Sequence, residues 1–139
     1  MDGIKCSITV QSNQTLEGQK DSNTEVYIGQ YYDRLEKRYL SYKRPSEEGE
    51  VSVLINFGEA SMTLTQQGAV HSKMQFVPGQ VTYNDYNTPA GKLSLPVETK
   101  SYSMVQKDDF IEIKLLYHIL MGQGDGIRTD MIIYAKIVD

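Results

Sequence analysis

The main pattern along the chain is an alternation of apolar and polar residues with a period of two. It recurs in five segments, whose apolar members are Ile4, Cys6, Ile8 and Val10; Val51, Val53, Ile55 and Phe57; Val70, Met74 and Phe76; Leu93, Leu95 and Val97; and Ile111, Ile113, Leu115, Tyr117 and Ile119. Successive side chains of a β-strand point to opposite faces of the sheet, so each segment has one dry face and one solvated face. This pattern is typical of antiparallel sheets with one solvated side.

Turn signals separate these segments. Gly58-Glu59, Pro78-Gly79 and Pro89-Ala90-Gly91 stand between them, and glycine and proline supply the φ values that tight turns require. Taken together with these turn signals, the predicted strands recur roughly every 8–12 residues, which is the spacing of all-β sandwiches and barrels. The sequence therefore predicts an all-β fold, a single antiparallel up-and-down β-barrel of about eight to ten strands.

Residues 33–44 fit the alternation less well. Leu35, Tyr39 and Tyr42 have near-helical spacing, so a short helix is one interpretation. Two strands joined by a turn at Glu36-Lys37 are favoured, because tyrosine and other residues with high strand propensity flank the segment on both sides.

Three other features refine the predicted strands. Residues 110–120 are apolar enough for a buried helix, but their β-branched isoleucines favour a strand. Pro96 predicts an edge strand or a bulge, because proline cannot donate a hydrogen bond to a ladder. Residues 11–24 are mostly polar and predict a mobile loop after the first strand.

The size and charge of the chain narrow the function classes. With 139 residues, the chain predicts one domain, residues 1–139. The net charge of -4 argues against nucleic acid or an anionic membrane as a partner, because both attract proteins with an excess of Lys and Arg. The first residues lack the apolar run of a signal peptide, and the single cysteine, Cys6, cannot form an internal disulfide. We therefore expect a cytoplasmic protein.

Residues that could carry catalysis or bind a metal are few and scattered. His71, His118 and Cys6 lie far apart, whereas metal sites need several ligands at short spacing. The chain lacks the G-x-S-x-G motif and the glycine-rich phosphate-binding patterns. The sequence therefore predicts no metal, no cofactor and no enzymatic activity. The alternative, an enzyme, would need a pocket carboxylate such as Asp85.

Charged residues crowd around the predicted hairpin of residues 33–44. The basic ones are Arg34, Lys37, Arg38, Lys43 and Arg44, and the acidic Glu47, Glu48 and Glu50 follow them. Opposite charges this close cancel over about 8–10 Å, so a solvated hairpin is favoured over an anion site. The neighbouring Tyr39 and Tyr42 keep nucleic-acid binding open as a weaker alternative.

Ten tyrosines and no tryptophan are the most unusual feature of the composition. Tyrosine combines an apolar ring with a polar hydroxyl and therefore suits pockets and interfaces. On the parity of Val81, Tyr83 and Asp85 would face inward, and Tyr117 shares the inward parity of its own strand. The candidate ligand-binding residues are Tyr42, Tyr83, Asp85 and Tyr117. The alternative is that these tyrosines only fill the core.

Three stretches of the sequence resemble a known family. They read LSYKR at 40–44, SKMQFVPGQVTYNDYNTPAGKLSLPVETKS at 72–101 and IEIKLLYHILMGQG at 111–124. They are similar to the uncharacterised YwiB-like proteins of Gram-positive bacteria. This resemblance implies a calycin-like (lipocalin-like) barrel in the cytoplasm, and it implies no established activity and no catalytic residues.

Two functions are compatible with these patterns. A closed barrel of this size can enclose a small apolar or amphipathic ligand, which is the favoured function. The alternative is an interaction or structural protein with a packed barrel, which acts through its outer surface or as a homodimer. Leu116, Leu120, Ile132 and Tyr134 lie off the dry parity and would form an exposed apolar patch.

Overall fold

The computed structural model describes residues 3–34, 37–88, 91–120 and 126–138. Their ten β-strands are β1 (Ile4–Leu16), β2 (Gln19–Arg34), β3 (Lys37–Ser46), β4 (Gly49–Phe57), β5 (Met62–Gly68), β6 (His71–Phe76), β7 (Val81–Thr88), β8 (Gly91–Gln106), β9 (Phe110–Ile119) and β10 (Ile127–Ile137). Each strand pairs antiparallel with its neighbours in sequence, and β1 also pairs with β10, which closes the sheet. The predicted all-β class and up-and-down barrel are confirmed. The described residues contain no helix that is long and apolar enough to cross a bilayer.

The alternation along each strand decides which side chains fill the barrel. In β4, Val53 and Ile55 are buried, whereas Leu54 between them is 41% exposed. Apolar side chains that are almost fully buried come from most of the strands: Cys6, Ile8, Leu40, Val51, Ile55, Phe76, Val97, Ile113 and Ile133. Burying one large apolar side chain stabilises a fold by about 1.5–3 kcal/mol, so this lining is the main favourable contribution.

The prediction of a mobile loop at residues 11–24 is wrong. β1 continues to Leu16 and β2 begins at Gln19, and the register of this long hairpin runs without a break to that pair. Glu17 and Gly18 turn the chain with φ values of 51° and 81°, as a type I′ turn requires. The polar residues give no hydrophobic alternation, yet β1 pairs with both β2 and β10, which satisfies its backbone hydrogen bonds.

Residues 33–44 form the predicted pair of strands rather than a helix. β2 ends at Arg34 and β3 begins at Lys37, and these two residues pair across the hairpin. Of the two predicted turn residues, Lys37 already belongs to β3, and Glu36 lies outside the described residues. Strand propensity is therefore the better guide here than the near-helical spacing of three side chains.

The prediction that Pro96 lies in an edge strand or at a bulge is wrong. Pro96 lies within β8, opposite Tyr83 of β7, and the register shift of β8 falls later, at residues 99–101. The pairing of β8 with β9 begins one residue further on, at Val97. Beyond that point the Leu120 N–H donates to the Pro96 carbonyl at 2.9 Å. The N–H that proline lacks therefore falls at the margin of the ladder, where its absence costs little.

Two boundaries between neighbouring strands are incompletely paired. The strand pairs that join β2 to β3 run from Gln30 to Arg34 of β2. Residues 19–29 of β2 and 42–46 of β3 extend past these pairs, and we call this boundary the β2–β3 seam. The pairs that join β6 to β7 cover residues 71–73 of β6.

Side chains close the boundary between β6 and β7. The Asn84 side-chain oxygen accepts the N–H of Gln75 at 2.8 Å, and the Thr82 hydroxyl donates to the Gln75 carbonyl at 2.7 Å. Asn84 is 2% exposed, so these bonds lie inside the barrel wall. Two inward polar residues of β7 therefore replace the missing part of a backbone ladder.

Gly29 marks the point where the β2–β3 seam begins. A Cβ added at Gly29 would lie 2.2 Å from the Ser41 carbonyl oxygen and 2.6 Å from Ile8 Cδ1. A residue without a side chain is therefore required where β2 passes so close to β3. The strand pair next to this contact, Gln30 with Ser41, is the first of the ladder.

Candidate functional site

A cavity of about 240 Å³ lies inside the barrel beside the β2–β3 seam. One wall comes from β1, β2 and β10, and the facing wall comes from β3, β4 and β5. Its apolar lining consists of Val10, Val53, Leu64, Met131 and Ile133. All five lie on the inward parity of their strands. The cavity is therefore an unfilled part of the barrel interior.

Arg44 is the cationic group of this cavity. Its guanidinium donates a hydrogen bond to the Gln66 side-chain oxygen, and the Gln66 amide donates to the Ser72 hydroxyl at 3.0 Å. Ser72 is 6% exposed, so this series of contacts is anchored in the barrel wall. None of the described carboxylates forms an ion pair with Arg44. Neutral groups thus orient the guanidinium, which keeps N–H donors for other acceptors.

Glu25 is the anionic group of the cavity. It lies on β2 at the seam, opposite Val10 of β1. The Asn23 amide donates to one Glu25 carboxylate oxygen at 2.8 Å. Glu25 is exposed, so it borders the mouth of the cavity rather than its floor. The cavity therefore carries one fixed charge of each sign.

Two stacked tyrosines bridge the seam between these charges. The rings of Tyr27 on β2 and Tyr42 on β3 lie 4.6 Å apart with an interplanar angle of 16°. Burial raises the pKa of Tyr42 from 10.0 to about 12, the positive charge of Arg44 lowers it and the negative charge of Glu25 raises it. The Tyr42 hydroxyl is therefore neutral near pH 7, where it can donate and accept hydrogen bonds but does not act as a base.

The four candidate ligand-binding residues lie in three different places. Tyr42 lines the cavity. Tyr117 faces inward as predicted and is 4% exposed, but it packs on Phe76 with ring centres 4.8 Å apart. Burial raises the pKa of Tyr117, and the nearby Thr129 hydroxyl partly opposes that rise. Tyr117 thus belongs to the packed core beside the cavity.

The prediction that Tyr83 and Asp85 face inward is wrong. Tyr83 is 74% exposed, and Asp85 lies on the same outer face. The inward positions of β7 are Thr82 and Asn84, whose side chains bind the backbone of β6. The apolar Val81 suggested the opposite phase, but it is itself 44% exposed. Polar residues with a structural role therefore reversed the apparent pattern of this strand.

The basic residues around residues 33–44 do not form one site. Arg38 and Arg44 share the inward parity of the buried Leu40 and Tyr42, whereas Lys43 points outward and lies 3.6 Å from Glu50. The prediction that these charges form a solvated hairpin is therefore wrong for the two inward arginines. The alternation in LSYKR was the signal that would have placed Arg44 inside the barrel.

A larger and more open depression, of about 730 Å³, lies on the outer face of β2, β3 and β4. Its lining consists of Tyr32, Arg34, Lys37, Tyr39 and Leu54. The Arg34 guanidinium lies 5.9 Å from the centre of the Tyr32 ring, a cation–π distance. The walls of this depression are outward side chains of three neighbouring strands, whereas the cavity inside the barrel is lined from facing walls, so the internal cavity is the better candidate site.

The opposite end of β3 carries the second inward arginine. The Arg38 guanidinium donates to the Gln106 side-chain oxygen at 2.7 Å and lies 5.4 Å from the centre of the Phe57 ring. The Gln106 amide donates in turn to the Tyr31 hydroxyl at 3.0 Å. Tyr31, Arg38, Phe57 and Gln106 together form what we call the closed end of the barrel.

The predicted outer apolar patch is half-buried. Leu116, Leu120, Ile132 and Tyr134 lie on the outer parity of β9 and β10 or just beyond it, and each is of intermediate exposure. Tyr134 stacks on Phe110 with ring centres 5.5 Å apart, which covers part of both rings.

Among the residues that the structure describes, no group of three or more His, Cys, Asp and Glu could hold a metal ion. Cys6 is buried, and burial raises the pKa of its thiol to about 11.

The fold and the cavity together define a class: closed, ten-stranded antiparallel barrels with a small, partly polar interior space. Within that class, residues 8–133 match the family described as a domain of unknown function, DUF1934. The chain belongs to this family.

Two comparisons agree with this assignment. The chain is 29% identical over 119 residues to the uncharacterised β-barrel protein YwiB of Bacillus subtilis (strain 168). This alignment covers 83% of this chain and 82% of YwiB. The chain is also similar to the crystal structure of the ywiB protein from Bacillus subtilis, with a TM-score of 0.89, 24% identity and coverage of 98% and 93% of the two chains. The resemblance to YwiB-like proteins is confirmed, and the structural likeness supports the fold alone.

Proposed function

We propose that this protein binds a small amphipathic molecule in the cavity beside the β2–β3 seam. One observation carries the proposal: an oriented guanidinium, that of Arg44, and a wall of five apolar side chains face the same space inside the barrel. A ligand with an apolar body and a polar end satisfies both at once. A purely apolar ligand would leave the remaining donors of Arg44 without acceptors, which is unfavourable inside a barrel.

The volume of the cavity limits the size of the ligand. Liquid water occupies about 30 Å³ per molecule, so the cavity of about 240 Å³ has room for about eight waters. This lies below the range of about 300–1,000 Å³ for pockets that take drug-sized ligands. We therefore propose a ligand of about eight to twelve non-hydrogen atoms, which enters through the β2–β3 seam.

We propose binding rather than catalysis, in the cytoplasm. The neutral Tyr42 hydroxyl is a hydrogen-bonding group rather than a general base at pH 7, because burial holds its pKa near 12. A single buried thiol that forms no disulfide suits a reducing compartment. Both points support the proposal.

Two measurements test ligand binding. Native mass spectrometry of freshly purified protein should show a retained small molecule, and ¹H–¹⁵N NMR titration with hexanoate and hexan-1-ol should shift amide signals around the cavity. A Leu64→Phe variant should weaken both effects, because the larger ring occupies the cavity. The matched control is Leu54→Phe, since Leu54 points outward from β4 and is 41% exposed. Shifts scattered over the outer face, or equal binding by both variants, would contradict the proposal.

A second function is favoured by a separate observation. Val26 and Ile28 are 62% and 61% exposed on the outer face of β2, within the part of that strand that extends past its pairing with β3. An exposed apolar edge is a surface on which strands from another chain pair. We therefore keep an interaction protein or homodimer as the alternative. Sedimentation velocity over a wide concentration range should then show a dimer that Ile28→Asp dissociates, and a strictly monomeric wild type would exclude self-association.

A further inference from the structure

We infer that the cavity selects a small zwitterion, a molecule that carries a carboxylate and an ammonium group beside a compact apolar body. The inference comes from the placement of Arg44, Glu25 and the apolar wall around one space, and it rests on the proposed function. An apolar α-amino acid is the simplest member of this chemical class.

The Arg44 guanidinium is suited to a carboxylate. A guanidinium has five N–H donors in a planar fork, and carboxylates accept two of them side by side. Gln66 accepts from Nη2 of Arg44, and no described carboxylate pairs with it. Because Gln66 is itself held by Ser72, the fork is already oriented before a ligand arrives. An oriented group loses less conformational entropy on binding.

Glu25 makes a simple anion a poor ligand. A carboxylate that entered alone would gain the charge of Arg44 but would also approach the negative charge of Glu25. A simple amine would meet the opposite problem. A zwitterion places one group near each fixed charge and adds no net charge to a cavity whose own two charges already balance.

The two charged side chains do not neutralise each other. Both are described, and they form no ion pair with each other. The Tyr27 and Tyr42 rings lie in the cavity lining between β2 and β3 and offer aromatic faces that attract an ammonium group. The apolar side chains of Val53, Leu64 and Met131 face the space left for the body of the ligand.

Three probes that share the isobutyl group of leucine test the inference. They are L-leucine, 4-methylpentanoate, which is leucine without its ammonium group, and 3-methylbutylamine, which is leucine without its carboxylate. Isothermal titration calorimetry of the full chain should show L-leucine binding at least tenfold more tightly than either of the other two. The difference is measured on the wild type and therefore does not depend on the folding of a variant.

Charge-removing variants assign the two ends of the ligand. Arg44→Gln should weaken L-leucine at least tenfold and leave 3-methylbutylamine unchanged or improved. Glu25→Gln should weaken L-leucine and improve 4-methylpentanoate. The matched control is Arg38→Gln, which removes the other inward arginine and should change none of the three affinities.

Two results would overturn the inference in distinguishable ways. If 4-methylpentanoate binds as tightly as L-leucine and Glu25→Gln changes neither, the ligand is an anion and the zwitterion inference is wrong, while the proposed function stands. If none of the three probes binds and hexanoate and hexan-1-ol also shift no cavity signals, both the inference and the proposed function fail.

Discussion

Two arginines on β3, Arg38 and Arg44, occupy equivalent inward positions near opposite ends of the barrel. Each donates a hydrogen bond to a glutamine oxygen, that of Gln106 for Arg38 and that of Gln66 for Arg44. The surroundings then differ. Arg38 also covers the Phe57 ring and lies above packed apolar side chains, whereas Arg44 faces the cavity.

These different surroundings suit Arg38 to a structural role and Arg44 to a binding role. At the closed end, Gln106 also donates to the Tyr31 hydroxyl, so the polar side chains there bind one another. At the cavity, Arg44 donates to Gln66 and Gln66 donates to the buried Ser72 hydroxyl, and the guanidinium itself lines the open space. The donors of Arg44 that point into the cavity are left for a ligand or for water.

The largest expected effect comes from truncating one leucine on each side of this comparison. Leu40 is 0% exposed and lies next to Arg38 on the inward face of β3, so Leu40→Ala should reduce the free energy of unfolding by about 2–5 kcal/mol. Leu64 lines the cavity and already lacks neighbours on one side, so Leu64→Ala should cost well under half as much. Urea unfolding of both variants measures this, and equal losses would show that the cavity is packed as tightly as the closed end.

The second effect concerns the point where the β2–β3 seam begins. Gly29→Ala should destabilise the protein by about 1–3 kcal/mol, because the new methyl group meets the Ser41 carbonyl oxygen at 2.2 Å. Gly58→Ala is the control, since an added Cβ there has nothing within 4 Å. Thermal unfolding of both variants measures the difference. An unaffected Gly29→Ala variant would mean that β2 and β3 can move apart at this point without loss.

The third effect separates the two arginines directly. Arg38→Gln removes a charge-assisted hydrogen bond and a cation–π contact and should cost about 1–2 kcal/mol at this half-exposed site. Arg44→Gln should cost less, because it loses the hydrogen bond to Gln66 but no cation–π contact like that of Arg38 with Phe57. Chemical denaturation at neutral pH gives both values. If Arg44→Gln cost more stability than Arg38→Gln, the interpretation of Arg38 as a structural residue would be wrong.

The barrel can be predicted from the sequence, but only part of the candidate site can. The alternation in β4 and β9 predicts the inward faces correctly, because large apolar residues there have no role other than filling the core. The same reasoning fails on β7, where Asn84 is buried to bind the backbone of β6 and Tyr83 is exposed. Because the buried residue is polar and the exposed one is aromatic, the alternation predicts the wrong inward face for β7. The correct face is evident only once the pairing of the strands is known.

The cavity itself could not be predicted from the sequence, because it depends on where a strand ladder stops. Tyr42 was identified from its residue type, and Arg44 follows from the parity of its strand. Glu25 and Gln66 lie on other strands, in segments with little hydrophobic contrast, and their proximity to Arg44 depends on the register of a closed sheet. A long-range register of this kind leaves no local pattern in a single sequence.

The smallest expected effect compares one tyrosine from each side of the barrel at alkaline pH. Burial raises the pKa of both Tyr42, in the cavity, and Tyr102, whose hydroxyl donates to the Gly58 carbonyl at 2.6 Å, from 10.0 to about 12. A raised pKa of this kind means that the folded state favours the neutral phenol. The associated stability is therefore complete below pH 10 and is lost as the pH rises towards 12.

Between pH 8 and 10.5 each tyrosine should account for a loss of less than about 1 kcal/mol, so the comparison needs a matched variant. Cys6, with a pKa raised to about 11, adds its own loss in the same range, but this cancels when wild type and variant are compared. Tyr42→Phe and Tyr102→Phe should both flatten the pH dependence, and only Tyr102→Phe should also lose about 1 kcal/mol at pH 7, because it alone breaks a hydrogen bond to the backbone. Urea unfolding at each pH measures both quantities. A Tyr42→Phe variant as unstable at pH 7 as Tyr102→Phe would show that the Tyr42 hydroxyl is bound by the protein itself and is not free to meet a ligand.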